Sequence, residues 1–365
     1  MSSITLVGAP HTHGNVTVVR TMGLVMLALL PATAHGVYLF GWPALNTLLL
    51  TVLSAVLAEA ACLRLAGKPV AVYLADGSAL LCGWLLALTL PPWAPWWLSV
   101  LAGGIAIVIG KQVFGGLGQN LFNPAMVARV VLLVSCPVLM TTFVAPLPLG
   151  SAGAPDFLAG LAITFGDGMP HFDGHTGATL LGHLKTELGR DLGVVEALAV
   201  GPGVGDWLLG QRGGSLGETP VLLLLLGGLL LIHWRIIDWT IPTAMLGTLA
   251  LLAGAFNLMD PARHAGALYH LCTGGAMLGA FFIATDPVTS PVSRAGKLLF
   301  GAGCGLLVYV IRTFGNYPEG VAFAVLLMNA ATPLIDHYLR PRVYGRSRRG
   351  KPLDYPGAVR QGESS

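Results

Sequence analysis

Residues 43–66 read PALNTLLLTVLSAVLAEAACLRLA, and this stretch decides the fold. Glu59 and Arg64 are its only charged residues. A bilayer core needs roughly 20 mostly apolar residues to be crossed by a helix, so the segment predicts a membrane span. Arg64 and Lys68 mark its cytoplasmic end, because short cytoplasmic loops collect Lys and Arg.

The same pattern recurs along the chain. About ten candidate spans emerge: 22–40, 43–66, 71–91, 94–112, 123–142, 219–234, 239–258, 266–285, 297–314 and 319–337. Several are short or broken by Gly and Pro, as membrane helices are where the freed backbone faces protein or a cavity. Of 365 residues, 54% are hydrophobic and 10% charged, with mean hydropathy +0.73. A soluble domain carries about 25% charged residues, so the composition requires an integral membrane protein.

Lys111, Arg235, and Arg294 with Lys297 follow the fourth, sixth and eighth candidates, and a basic tail follows the tenth. These alternate loops share one side, the cytoplasm, with both termini. The opposite short loops carry only Arg263 and Arg312, and the first two hold Trp42, Trp93, Trp96 and Trp97. The expected organisation is a cytoplasmic segment 1–21, a membrane repeat 22–143, a long periplasmic loop 144–218, a second repeat 219–338 and a cytoplasmic tail 339–365. No cleavable leader is expected at the N-terminus. The net charge is only +3, and the basic tail from Arg340 to Lys351 reads as a membrane anchor, not a nucleic-acid site.

The two halves echo each other. Asn123-Pro124-Ala125-Met126-Val127-Ala128 opens the fifth span, and Tyr317-Pro318-Glu319-Gly320-Val321-Ala322 opens the tenth, 194 residues later. Gly110-Lys111 through Phe114-Gly115 similarly matches Gly296-Lys297 through Phe300-Gly301. Segments five spans apart run in opposite directions, which predicts an all-α bundle built as a five-plus-five inverted repeat. Such repeats place binding sites between the halves.

Glu59, Asp76, Lys111, Arg129, Asp286 and Asp336 fall in or at the ends of spans, all toward the cytoplasmic leaflet by this orientation. Arg312 and Glu319 fall toward the other face. Ionisable groups in lipid are costly and are usually paired or functional, although those at span ends can snorkel. Glu59, Asp76, Arg129 and Asp286 are the candidates for an ion path. An ion pair and a carboxylate-lined path are both open. The five cysteines lie in or beside apolar spans without CxxC spacing, which argues against a zinc or four-cysteine iron–sulfur site within this chain and leaves open a single cysteine ligand to a cluster shared with another subunit.

Within the long loop lies Phe172-Asp173-Gly174-His175-Thr176-Gly177-Ala178-Thr179. Asp173, a hydroxyl at Thr176, the small residues Gly177 and Ala178 and a final Thr179 match the acceptor that a flavin transferase modifies, joining FMN through its phosphate to the threonine hydroxyl. Gly174 and Gly177 supply the backbone freedom such a reaction needs.

Several stretches now converge. Pro91-Pro92-Trp93-Ala94-Pro95-Trp96-Trp97, the run from Lys111 to Asn120, Phe122-Asn123-Pro124-Ala125-Met126, Ala284 through Pro291, and Arg312 through Ala324 resemble, in this order, the RnfD family of the Rnf electron-transport complex. The chain is similar, more distantly, to NqrB of the sodium-pumping NADH:quinone reductase. The resemblance implies covalent FMN on Thr179 and a second, non-covalent flavin, riboflavin, in the helix bundle. For riboflavin we take Gly115, Gly116, Asn120 and Asn123 as candidate contacts. It also implies a bacterial inner membrane, a flavin transferase for maturation, and the partners RnfA, RnfB, RnfC, RnfE and RnfG in a complex passing electrons between ferredoxin and NAD while moving Na+ or H+. Such a chain would not act alone, since it has no dinucleotide-binding Gly-x-Gly-x-x-Gly after a strand.

The rival reading is a channel. Asn123-Pro124-Ala125 is the aquaporin triplet, and an inverted repeat suits urea- or ammonium-channel folds. No second Asn-Pro-Ala occurs, however, and the repeat mate reads Tyr317-Pro318-Glu319.

Overall fold

A computed structural model describes residues 17–151, 153–166, 176–177, 179–190, 192–199, 202–317 and 319–341. Asp173 and Ala178, the segment before residue 17 and most of the basic tail lie outside the described residues.

The first half contains α1 (Val18–Phe40), α2 (Trp42–Leu65), the short α3 (Val70–Leu74), α4 (Ser78–Thr89), α5 (Trp96–Val108), α6 (Pro124–Ser135) and α7 (Pro137–Thr141). The linking segment holds the two-residue strand β1 (Phe143–Val144), α8 (Phe157–Phe165), β2 (Thr176–Gly177), α9 (Leu180–Leu188), α10 (Val194–Ala199) and α11 (Val204–Leu209). The second half contains α12 (Val221–His233), α13 (Thr240–Met259), α14 (Ala267–Cys272), α15 (Ala276–Leu278) running into a π-turn (Gly279–Ile283), α16 (Arg294–Phe314) and α17 (Val321–Tyr338). Each of the ten sequence-predicted segments is helical. Among the described residues, six helices are long and apolar enough to cross a membrane alone, and α4, α6 and α12 are shorter apolar helices. The eighth segment is a helix broken between Cys272 and Ala276.

Local chemistry sets the boundaries. Gly41 at φ +77° turns the chain between α1 and α2, and Pro43 sits in the first turn of α2, where its missing N–H costs nothing. The Asn-Pro pair that opens the fifth segment is a helix start. Asn123 Oδ1 accepts from Ala125 N at 3.1 Å and Met126 N at 3.3 Å, and Pro124 takes the first position. Ser293 caps α16 in the same way, accepting from Gly296 N at 3.0 Å.

Two tight helix pairs hold the halves. In lipid, apolar side chains gain little by meeting each other, so close backbone approach and interhelical hydrogen bonds decide packing. A Cβ on Gly103 of α5 would lie 2.7 Å from Thr51 O of α2, and one on Gly305 of α16 would strike Met245 O of α13. Trp84 Nε1 donates to Thr33 Oγ1 at 2.8 Å, tying α4 to α1. The linking segment returns to the bundle at 212–219, where Gly217 N donates to Leu88 O at 2.7 Å and Leu216 is fully buried against Gly36.

Candidate functional site

Thr179 is the N-cap of α9. Its Oγ1 accepts from Gly182 N at 3.1 Å, and its carbonyl accepts from His183 N at 2.8 Å. The side chain is partly exposed. Just before it, Thr176 and Gly177 pair antiparallel with Val144 and Phe143. The described end of the acceptor motif is therefore fastened to the rim of the bundle.

The helix that follows is also fixed. Leu180, Leu181 and Leu184 are buried with Trp207, Val221, Tyr269 and Cys272, and Tyr269 OH donates to Leu180 O at 2.8 Å. Lys185 Nζ donates to Gly315 O, and to Tyr317 O at 3.3 Å. Partial burial holds this lysine below the ordinary lysine range.

Under Thr179 a narrow crevice is lined by Arg129, Met140, Phe143, Leu181, Glu218 and Glu319. Arg129 Nη2 lies 2.7 Å from Glu319 Oε2 and 4.0 Å from Glu218 Oε1. This corrects the sequence-based placement. On sequence alone Arg129 falls toward the cytoplasmic leaflet and Glu319 toward the opposite face, yet they form one ion pair. The reason is length. The fifth segment is not one long span: α6 has twelve residues and ends at Ser135, so Arg129, five residues past Pro124, already reaches the level at which α17 begins.

The charges around this pair manage the broken eighth segment. A helix that stops inside the bundle leaves carbonyls and N–H groups without partners. Arg212 Nη2 donates to Cys272 O and, at 2.9 Å, to Glu218 O. Arg312 donates to His270 O at 2.7 Å and Thr273 O at 2.9 Å, closing the end of α14. Glu319 Oε1 accepts from Gly275 N, at the start of α15. Cations thus sit at the helix C-terminus and an anion at the next N-terminus, as the helix dipole favours. Glu218 lies in the linking segment, before α12. Burial, then the neighbouring Glu319, pushes its carboxyl up to about 8, although Arg129 and Arg212 pull the other way.

A second buried constellation lies at the start of α4. Lys111 Nζ is 2.5 Å from Glu59 Oε1 and 2.6 Å from Ser78 Oγ, and Gln112 Nε2 donates to the same Glu59 oxygen at 2.9 Å. Asp76 Oδ1 accepts from Ser78 N at 2.7 Å, which makes it a turn-and-cap residue. Asp286 does the same after the π-turn, accepting from Val288 N at 3.1 Å and Thr289 Oγ1 at 3.3 Å. A mainly apolar cavity of about 120 Å³ adjoins this group, lined among others by Lys111, Asn120, Asn123, Phe281 and Asp286. Asn120 Nδ2 donates to Phe122 O at 3.0 Å. Gly115 and Gly116 are not among the lining residues. Their φ values of +116° and +109° make the turn after Lys111.

Of the ion-path candidates, then, Glu59 and Arg129 are in buried ion pairs, whereas Asp76 and Asp286 bond to backbone turns. Glu218, Arg212 and Lys185 were missed by sequence reasoning. They lie in the linking segment, where a charge raises no alarm.

The sequence matches a known family. Residues 5–345 match the model of the NQR2, RnfD, RnfE family. This chain belongs to that family. Its relatives include the D-type subunits of ion-translocating oxidoreductase complexes. It is 60% identical over 334 residues to the one from Stutzerimonas stutzeri, covering 92% of this chain and 94% of the relative. To the one from Halorhodospira halophila it is 56% identical over 348 residues, covering 95% and 97%. To that of Salmonella paratyphi B it is 45% identical over 350 residues, covering 93% and 98%.

Proposed function

We propose that this chain is the RnfD membrane flavoprotein of an ion-translocating oxidoreductase of the Rnf kind, with FMN joined through its phosphate to Thr179. The observation that carries the reading is the position of Thr179. A partly exposed hydroxyl caps a nine-residue helix and shares a crevice with Arg129.

The residues fit the group. A phosphoester at this oxygen places negative charge at the positive end of α9, where helix N-termini bind phosphates. Arg129, paired with Glu319, lines the same crevice, and Gly182 N–H faces the linking oxygen. When bound, FMN supplies electron-transfer chemistry. The protein fixes its tether, through β2, Tyr269 and Lys185, and sets the local charge.

For riboflavin the fit is poorer. Asn120, Asn123 and Phe281 offer amide and aromatic contacts, but about 120 Å³ is well below the several hundred Å³ usual for a whole ligand, and we route no step through it.

We further read the bundle as ten spans in an inverted five-plus-five repeat, in a bacterial inner membrane, with both termini cytoplasmic and Thr179 periplasmic. The twelve-residue α4 and the short run of α15 with its π-turn, each preceded by a break in the chain's helix, support this reading. Lys111 stands at the start of the first, and Arg312 at the break before the second. The names of the relatives favour partners from the same complex, and they favour the RnfD reading over the quinone-reductase one.

Expression with and without a flavin transferase, followed by a denaturing gel under ultraviolet light, tests the attachment. The wild-type band fluoresces only with the transferase, and Thr179→Val is dark. A fluorescent Thr179→Val band would move the attachment elsewhere, with Thr176 the first alternative.

A further inference from the structure

We propose that a cavity beside α9 binds the phosphate headgroup of an anionic phospholipid from the leaflet on the Thr179 side. Neither the cavity nor its lining depends on the flavin reading.

The cavity measures about 450 Å³ and lies between α9, the turn after α13, α14 and the end of α16. That is the size of an ordinary ligand site. Leu181, Leu184 and Leu188 of α9 give it an apolar wall. Lys185, Arg263 and Arg312 bring three cations to the same space, and among the described residues no carboxylate lines it. The ion pairs of the described residues all involve other cations. Lys185 and Arg312 donate to backbone carbonyls, which satisfies N–H groups without cancelling their charge. Asp260, just past α13, spends Oδ1 on Ala262 N at 3.1 Å and is not among the lining residues. His270 adds a further polar group. It is 6% exposed and lines the cavity, and among the described residues neither of its ring nitrogens makes a hydrogen bond. A buried polar ring without a partner is costly. The oxygens of an anion are the acceptors that an imidazole N–H, a guanidinium and an ammonium share.

The rim identifies the anion as a lipid's. Phe256 of α13, His264 and Phe314 of α16 form one aromatic cluster, so these two helices end together at the cavity. Both are long and apolar enough to cross a bilayer, which puts their shared end at headgroup level. Phe314 lines the cavity and is 62% exposed, and Leu258 and Met259 in the last turn of α13 are more exposed still. Apolar surface for acyl chains thus adjoins a cationic recess for a phosphate. A free anion uses only the recess. Basic pockets between membrane helices bind anionic headgroups in this way.

Native mass spectrometry of the full chain, expressed without a flavin transferase, provides the test. The probes are phosphatidylglycerol, zwitterionic phosphatidylethanolamine and inorganic phosphate. Phosphatidylglycerol stays bound through delipidation and binds more tightly than phosphatidylethanolamine. Arg263→Gln weakens it about fivefold, the share of one cation near an anionic headgroup. Ala262→Trp fills the cavity from its edge and abolishes the retention. Ala262 and Arg263 are both exposed, so the unfolding midpoints of the two variants in lipid-free detergent match the wild type. Equal retention of the two lipids, or phosphatidylglycerol retention that survives Ala262→Trp, overturns the site. Inorganic phosphate that binds as well as phosphatidylglycerol, and is weakened by Arg263→Gln, makes the ligand a free anion and overturns the lipid assignment. Release of the lipid when the transferase loads the chain gives the cavity to the flavin and overturns it too.

Discussion

Replacing Lys111 by Met tests the packing logic of the first half most sharply. Lys111 and Glu59 side chains are each 3% exposed, and Lys111 also holds Ser78 at the start of α4. Removing one partner of a buried pair strands the other charge, at a cost of about 3–5 kcal/mol. Glu59 Oε2 already lacks a hydrogen-bond partner, so nothing in the site can absorb the stranded charge except Gln112. Glu59→Gln should be milder. It leaves Lys111 a carbonyl and Ser78, and loses chiefly the charged part of a hydrogen bond, roughly 1.5–3 kcal/mol. The double variant, with neutral groups of similar shape, should return to within about 1–2 kcal/mol of wild type, since buried pairs often gain little over neutral replacements. Detergent-to-SDS unfolding titrations of the four proteins give the coupling directly. A Lys111→Met cost below about 1 kcal/mol would refute the claim that this pair is buried and mutually dependent.

Further tests follow from the same structure. Gly305→Leu drives a side chain into the backbone of α13 at Met245; it should cost about 1–3 kcal/mol or more in the same titration, whereas the equivalent change at Gly247, which has open space beside it, should not. Lys185→Met removes the ties to Gly315 and Tyr317, and should raise protease cleavage and hydrogen exchange across α9 without changing the membrane helices. Because the Glu218 carboxyl is raised in the folded protein, its neutral form stabilises the fold; that contribution is full at low pH and is lost as pH rises through about 8. Thermal stability should therefore fall as pH rises from about 4.5 to about 8 in wild type, and stay flatter in Glu218→Gln.

How far the sequence could be read depended on chain separation. Span positions, the Asn123-Pro124 helix start and the buried character of Glu59 followed from local pattern, because hydropathy and capping act over a few residues. The Arg129–Glu319 pair joins residues 190 positions apart. It became visible only once α6 proved to be twelve residues long. Asp76 and Asp286 looked like membrane carboxylates, but each is followed by a turn whose N–H groups it binds. Glu218 was hidden for the opposite reason. The linking segment reads as a loop, and nothing in its composition announces that residues 212–219 fold back into the bundle.

The central claim is that Thr179 carries the flavin. Tandem mass spectrometry of the digested, transferase-matured chain tests it most directly. The account predicts an FMN mass increment localised to Thr179 in the peptide that contains Thr176 and Thr179. An unmodified peptide from active, matured complex, or an increment fixed on Thr176, would contradict it.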